Sequence, residues 1–394
     1  MTKNSYKIMI VAGEASGDLH AAKLVTALCE TPAVDLTFFG SAGPRMRAVG
    51  VEAVVEADNL SVVGLPEIAR ALPMFVSVFK KLKRAAVERR PDAVVLVDFP
   101  DFNLKLAKSL SKRGFKIVYY ISPQLWAWRK YRIGSIRKYV DLLISILPFE
   151  KGWYAKHGVD HVEYVGSPLS REVNPTVDRI EFLRKHKLDE HKKLVALLPG
   201  SRHKEIIRIL PVMLETAAKM SGINPSLQFV IATASEESRR DIDTVIATAR
   251  EKKLGLPETV SIVQNETFDA LNASDAAAVT SGTATLETGI IGTPMAIVYK
   301  TSALNYKLLR PLIDVEHFGL INLIAGERVA AELIQDEFNP QSLADELFRL
   351  LEANTNTKIR GRLAVASEKL GRGGASKRAA EAILKVLADE EEKE

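Results

Sequence analysis

The stretches Leu198-Pro199-Gly200-Ser201-Arg202 and Ser281-Gly282-Thr283-Ala284-Thr285-Leu286-Glu287 decide the fold of this 394-residue chain. Each follows a short apolar run, Leu194–Leu198 and Ala276–Thr280, and each opens a helix-like stretch. A strand that passes through small residues into a helix is the start of a parallel βαβ unit. The same arrangement suits an anion, because small residues let the backbone come close and the free N–H groups of a helix start point at it. Arg202 adds a permanently charged planar fork. Glu287, one turn into the second helix, is placed to accept from a ribose hydroxyl. Gly200, Ser201, Arg202, Ser281, Gly282, Thr283, Thr285 and Glu287 are therefore the candidate residues for a nucleoside diphosphate.

Outward from these loops, strand-like and helix-like runs alternate along the whole chain. The first half gives strands at Lys7–Ala12, Ala93–Asp98, Lys116–Ile121, Leu142–Leu147 and Glu163–Val165. The second half adds Gln228–Ala232, Val260–Val263 and Met295–Val298 to the two already named. Ser167–Arg184, with Pro168 and Pro175, separates the series and reads as a linker. The expected architecture is α/β, two doubly wound Rossmann-like domains facing across a cleft. Their bounds are 1–170 and 171–354, followed by a helical segment and acidic tail at 355–394. That segment breaks at Gly371-Arg372-Gly373-Gly374, so its last helix is free to return to the first domain or to reach a partner subunit in a homodimer.

Composition limits the class. Hydrophobic residues make up 47% of the chain and the mean hydropathy is +0.01, as in a globular protein with an ample core. Apolar runs such as Leu142–Phe149 stop well short of the ~20 residues a membrane span needs. Ile8–Ala12 is too short for a signal-peptide core. A single cysteine, Cys29, excludes an internal disulfide and a thiolate-rich zinc site, and the seven histidines are scattered. A cytoplasmic chain without metal or cofactor is the expectation. The net charge of +5, with an acidic tail at Asp389–Glu394 masking a more basic body, favours an anionic partner.

Several carboxylates gather at predicted strand ends, where ligands bind in such sheets. The first strand runs into Gly13-Glu14-Ala15-Ser16-Gly17-Asp18. Ser16 and Asp18 are equally readable as helix caps; Glu14 has no capping role to explain it. Asp98 closes an otherwise apolar strand, a setting that raises a carboxyl's proton affinity toward the range a general base needs. Glu14, Asp18 and Asp98 are the catalytic candidates, with Asp98 preferred, and Asp101 fits a helix start. Trp126 and Arg129, in Ser122-Pro123-Gln124-Leu125-Trp126-Ala127-Trp128-Arg129-Lys130-Tyr131-Arg132, suit a sugar-phosphate platform, nucleic acid, or a loop packed by its own rings. After Pro73, Phe75, Val76, Phe79, Leu82 and Ala86 form one stripe bordered by Lys80, Lys81, Lys83 and Arg84. Burial of the stripe against the sheet is one reading. With Val62, Val63, Leu65, Ile68 and Leu72 just upstream there is more apolar surface than one packing face needs, which favours a membrane contact at Leu72, Phe75, Phe79, Lys80 and Lys81.

Six motifs, in order, resemble those of the lipid-A-disaccharide synthase family, inverting glycosyltransferases of the two-Rossmann (GT-B) fold. They are Gly13–Asp18, Pro100-Asp101-Phe102-Asn103, Gln124–Trp128, Leu147-Pro148-Phe149-Glu150, Pro199–Arg202 and Ser281–Glu287, within a similarity running from Ile8 to about Glu337. Two departures stand out: Gly166-Ser167-Pro168 replaces the family's Gly-His-Pro, and Gly319-Leu320-Ile321-Asn322 replaces Ser-Leu-Pro-Asn while keeping Asn322. The resemblance implies a UDP-2,3-diacylglucosamine donor and a 2,3-diacylglucosamine 1-phosphate (lipid X) acceptor. The product would be a β-1,6-linked disaccharide 1-phosphate, formed at the cytoplasmic face of the inner membrane. Ser16, Asp101, Trp126, Arg129 and Asn322 would then contact substrate. The competing readings are another UDP-sugar transferase or epimerase of the same fold, and a non-enzymatic membrane- or RNA-binding protein. Against nucleic acid stand Glu14, Asp18, Asp98 and Asp101, whose charge would repel a polyanion.

Overall fold

Ile8, Ile10 and Ala12 point to one side of their strand and Met9 and Val11 to the other, and all five are buried. A strand buried on both faces belongs inside a parallel sheet covered by helices on each side. The computed structural model describes residues 4–31, 34–57, 65–257, 260–302, 306–307 and 315–391. They form two compact units, one of residues 1–168 and 373–394, the other of residues 169–372.

The first unit holds seven strands: β1 Asn4–Val11, β2 Val34–Ala42, β3 Glu52–Glu56, β4 Ala93–Val97, β5 Ile117–Tyr120, β6 Leu142–Ser145 and β7 Val162–Tyr164. All pairs are parallel, in the order β3-β2-β1-β4-β5-β6-β7. Ile8, Ile10, Val95 and Val97 pack against Leu24, Val25 and Leu28 of helix Ala15–Cys29. The same core takes Ala379, Ile383 and Leu387 from helix Ala375–Glu391, whose Arg378 donates from Nε to the Val165 carbonyl at 2.8 Å. On the opposite face Met9, Val11 and Leu96 pack against Val78 and Leu82 of helix Leu65–Arg89 and Leu106 and Leu110 of helix Pro100–Ser111. Truncating a fully buried leucine here, such as Leu24→Ala, costs about 2–5 kcal/mol.

The second unit repeats the plan with β8 Lys193–Leu198, β9 Leu227–Thr233, β10 Val260–Gln264, β11 Ala276–Thr280, β12 Met295–Tyr299 and β13 Ala331–Ile334. Its order is β10-β9-β8-β11-β12-β13, again parallel throughout. Helix Ala353–Glu368 packs within this unit, where Arg360 donates to the carbonyls of Gly292 and Ser274. Three strands, β2, β3 and β13, go beyond those read from the sequence. In both sheets the strand order reverses once, between β1 and β4 and between β8 and β11. Open α/β sheets bind ligands outside the carboxyl ends of the strands at such a reversal. Among the described residues no helix is long and apolar enough to cross a membrane.

Candidate active site

At the first reversal, β1 delivers Gly13 and Glu14 and β4 delivers Asp98. The two turns touch: a Cβ on Gly13 would lie 2.4 Å from a ring carbon of Phe99, so only glycine lets them approach. Asp98 and Phe99 both take left-handed backbone angles, φ 46° and 50°, which swing the chain out of β4 before helix Pro100–Ser111. The Asp98 carbonyl is then pinned by the Tyr119 hydroxyl at 2.6 Å and Asn103 Nδ2 at 2.8 Å. Its carboxyl is pushed from 3.8 up to about 6, first by burial and then by the negative charge of Glu14, with a Phe99 N–H opposing. A carboxylate that binds its proton this firmly, at a strand end, is suited to take a proton from a hydroxyl near neutral pH.

Asp18 has another occupation. It is buried and accepts from the backbone N–H groups of Gly43 and Arg45, both at 2.9 Å, and Met46 at 3.1 Å, anchoring the start of helix Pro44–Ala48. It caps a helix 25 residues away rather than its own, and its oxygens are committed there. Ser16 and Glu14 are exposed, and helix Ala15–Cys29 has no side-chain cap.

The tryptophans divide their roles. Trp126 is 5% exposed, donates from its indole to Glu150 at 3.0 Å and stands edge-on to Phe149, so it is a packing residue. Glu150 also accepts from the Ser122 hydroxyl at 2.6 Å and the Leu147 N–H at 3.3 Å. Full burial pushes its carboxyl up to about 7 against those donors. Trp128, 45% exposed, carries the Arg129 guanidinium 4.0 Å above its ring. Arg129 and Arg132 both bond Asp101. Burial pushes the Asp101 carboxyl up, and the two arginines outweigh it and hold it below the usual range.

At the second reversal, the Thr280 hydroxyl donates to the Leu198 carbonyl at 2.9 Å and ties the two strand ends together. Gly200 has φ 104°, and a Cβ there would lie 2.7 Å from Glu205 Oε2. Glu205, in the first turn of helix His203–Ile223, accepts from the Arg202 guanidinium at 3.0 Å and its N–H at 3.4 Å. The Arg202 side chain remains 79% exposed, and Ser238 bonds the Ser201 carbonyl at 2.9 Å. Ser281 donates to the Phe318 carbonyl at 2.9 Å, and Gly282 and Thr283 are exposed at the start of helix Thr283–Ile291. The first N–H groups of that helix lack intrahelical partners. Thr285 is fully buried with its hydroxyl on the Gly282 carbonyl at 2.8 Å, so its side chain shapes the turn and does not face a ligand. Glu287 is half-buried, and burial pushes its carboxyl up. Asn322 is also internal: it donates to the Ala330 carbonyl and Glu332 and accepts from the N–H groups of Val329 and Ala330.

Arg132 and Glu150 fall inside stretches the sequence singled out but were given no role there, and sequence reading missed Glu205 and Tyr299 altogether. Tyr299 ends β12 next to the phosphate-type loop; burial and Glu205 push its hydroxyl up, with Arg202 and Arg208 opposing. A signal existed for Glu205, three residues after the loop arginine, as in a helix-start pair. Tyr299 depends on sheet order and left none.

Residues 8–386 match the lipid-A-disaccharide synthetase family. A lipid-A-disaccharide synthase of Geobacter sulfurreducens is 43% identical over 390 residues, covering 98% of this chain and 99% of that protein. One of Syntrophus aciditrophicus is 43% identical over 385 residues, covering 98% of each. Among solved structures, the UDP-GlcNAc 2-epimerase of Neisseria meningitidis superposes with TM-score 0.63 at 14% identity, covering 96% of this chain and all of that one. The calicheamicin glycosyltransferase CalG4 gives 0.60 at 16% identity, covering 98% of each. These two share the GT-B fold. Sequence similarity over nearly the whole length is the closer tie, and by it the chain belongs to the lipid-A-disaccharide synthase family.

Proposed function

We propose that this chain transfers 2,3-diacylglucosamine from UDP-2,3-diacylglucosamine to the 6-hydroxyl of 2,3-diacylglucosamine 1-phosphate. The products are the β-1,6-linked disaccharide 1-phosphate and UDP. Family membership supports the reaction, and Asp98 is the observation that carries the chemistry. Asp98 takes the proton of the acceptor hydroxyl as its oxygen attacks the donor's anomeric carbon. Attack from the face opposite the diphosphate inverts the centre, and the breaking bond's electron pair leaves on UDP. Arg202 and the N–H groups at the start of helix Thr283–Ile291 stabilise the charge that develops there. Glu287 accepts from the ribose. Glu14 keeps the proton affinity of Asp98 high, and Asp18 supports the fold.

Acylated substrates require access to a bilayer. On helix Leu65–Arg89, Leu72 is 59% and Val76 46% exposed, while Val78 and Leu82 on the inner face are buried. Lys80 and Lys81 are exposed beside them. Phe75 and Phe79 lie between the two faces, half-buried against Phe99 and Phe102. Val62 and Val63 lie outside the described residues, as do the side chains of Leu65 and Ile68. This surface is the proposed contact with the cytoplasmic face of the inner membrane, the basic side chains adding about 1 kcal/mol each near anionic lipid. Thin-layer separation of products from labelled acceptor and UDP-diacylglucosamine tests the function. A disaccharide spot with release of UDP is expected. Turnover of UDP-N-acetylglucosamine and none of the acylated donor would make the chain a different UDP-sugar enzyme.

A further inference from the structure

Two guanidinium groups converge on one carboxylate beside the proposed base. Arg129 gives Nη1 to both oxygens of Asp101, at 2.8 and 3.0 Å, and Arg132 bonds the same carboxylate. The charges do not balance, two cations meeting one anion, and the carboxylate is the solvated member. Its side chain is 66% exposed, against 32% for Arg129 and 14% for Arg132. A solvated surface ion pair would contribute little and would need no special backbone. Here Arg129 holds a left-handed angle, φ 58°, costly for a residue with a side chain and of the kind that clusters at functional sites. Trp128 underlies one guanidinium and Tyr131, 77% exposed, flanks the other.

The cluster borders the base. Asp98 and Asp101 are three residues apart, at most about 11 Å along the chain. The Tyr119 hydroxyl that pins the Asp98 carbonyl also lies in the fields of Arg132 and Asp101. Planar forks bind phosphate oxygens two at a time. We propose that Arg129 and Arg132, held in register by Asp101, bind a phosphate monoester, that of the acceptor sugar, and so turn its far hydroxyl toward Asp98. This assignment rests on the acceptor proposed above being a sugar 1-phosphate.

The test removes the phosphate from the ligand and the forks from the protein, separately and together. Acceptor with and without its 1-phosphate is given to the full-length protein and to its Arg129→Gln, Arg132→Gln and Arg129→Lys variants. The unaltered protein should prefer the phosphorylated acceptor by about 10²-fold in kcat/KM, and either glutamine substitution should cut that preference to a few-fold. The KM for donor should not move. Arg129→Lys, which keeps the charge without the fork and is the gentlest change to the fold, should fall between. Equal loss on both acceptors would mean a structural role and overturn the proposal, as would an unchanged preference. Calorimetry with glucosamine 1-phosphate, inorganic phosphate and phosphatidylglycerol vesicles supplies a readout independent of turnover. Binding of the sugar phosphate that Arg132→Gln abolishes upholds the site even if no disaccharide forms, in which case only the reaction assignment has failed. Absence of that binding, or arginine-dependent binding of vesicles alone, overturns it.

Discussion

Asp98→Asn should lower activity and raise stability in the same protein. Asparagine is nearly isosteric and is among the residues best tolerated at positive φ, so the φ 46° turn survives the change. Loss of a positioned base lowers kcat by ~10²–10⁴-fold. The stability effect follows from the carboxyl's rise from 3.8 to about 6, equivalent to at most about 3 kcal/mol. The sign is set by which state holds the proton. Below pH 3.8 both folded and unfolded chains are protonated and nothing is lost. Between 3.8 and about 6 the unfolded chain ionises first, so the fold loses stability as pH rises, and above 6 the full cost is present. The substitution removes that cost. At pH 8 the unfolding midpoint should rise by several degrees, and at pH 3.5 it should match the unaltered protein. The assays are differential scanning calorimetry at both pH values and initial rates with saturating donor. In the unaltered protein, kcat/KM for acceptor should climb with pH through about 6. Near-normal turnover would move the base to Glu14. A lower midpoint at pH 8 would show that the carboxylate is not held in a desolvated site.

Arg202→Ala should weaken UDP binding by about 1.5–3 kcal/mol in a calorimetric titration, with Arg202→Lys recovering only part. Glu150 binds its proton at about 7 against an ordinary 4.5, so stability it confers when protonated is lost as pH rises through 7; Glu150→Gln should flatten the fall in unfolding midpoint between pH 5 and 8. On helix Leu65–Arg89, Leu72→Ser with Val76→Ser should release the protein from anionic vesicles at an unchanged melting temperature. Phe79→Ser should cost stability, because its ring packs edge-on to Phe102 at 5.9 Å. Unchanged vesicle binding in the first pair would remove this face from membrane contact.

The parallel sheets were legible because their central strands, such as Ala93–Val97 and Ala276–Thr280, are unbroken apolar runs buried at every position. The strands left unread have weak local signals. β2 carries Gly40 and Ser41, β3 is bounded by glutamates, and β13 contains Glu332, which is buried while accepting from the N–H groups of Phe318 and Gly319 and from the Asn322 amide. Side-chain roles were less legible than positions. Trp126 and Trp128 are equivalent on paper, and only the distant Glu150 turns one inward. Asp18 and Asn322 look like site residues because polar side chains at strand ends and helix starts usually are. Their partners, 25 to 28 residues away for Asp18 and 7 to 10 for Asn322, are set by the folded chain. The reversed turn that presents Asp98 depends on packing against Gly13 and Phe99, which no local pattern announces.

Helix Ala375–Glu391 makes the first unit the last to be completed during synthesis. The second unit, residues 169–372, is continuous and has its whole core once its final helix leaves the ribosome. The first has its sheet by residue 168 but lacks Ala379, Ile383 and Leu387, which cover Leu24 and Leu28. The intervening 223 residues, from 168 to 391, take roughly 10–45 s to make at ~5–20 residues per second. For that interval a leucine- and valine-rich face of the nascent unit stays open to water. It is therefore the part of the molecule on which a chaperone would act, and where a premature stop would leave an aggregation-prone product.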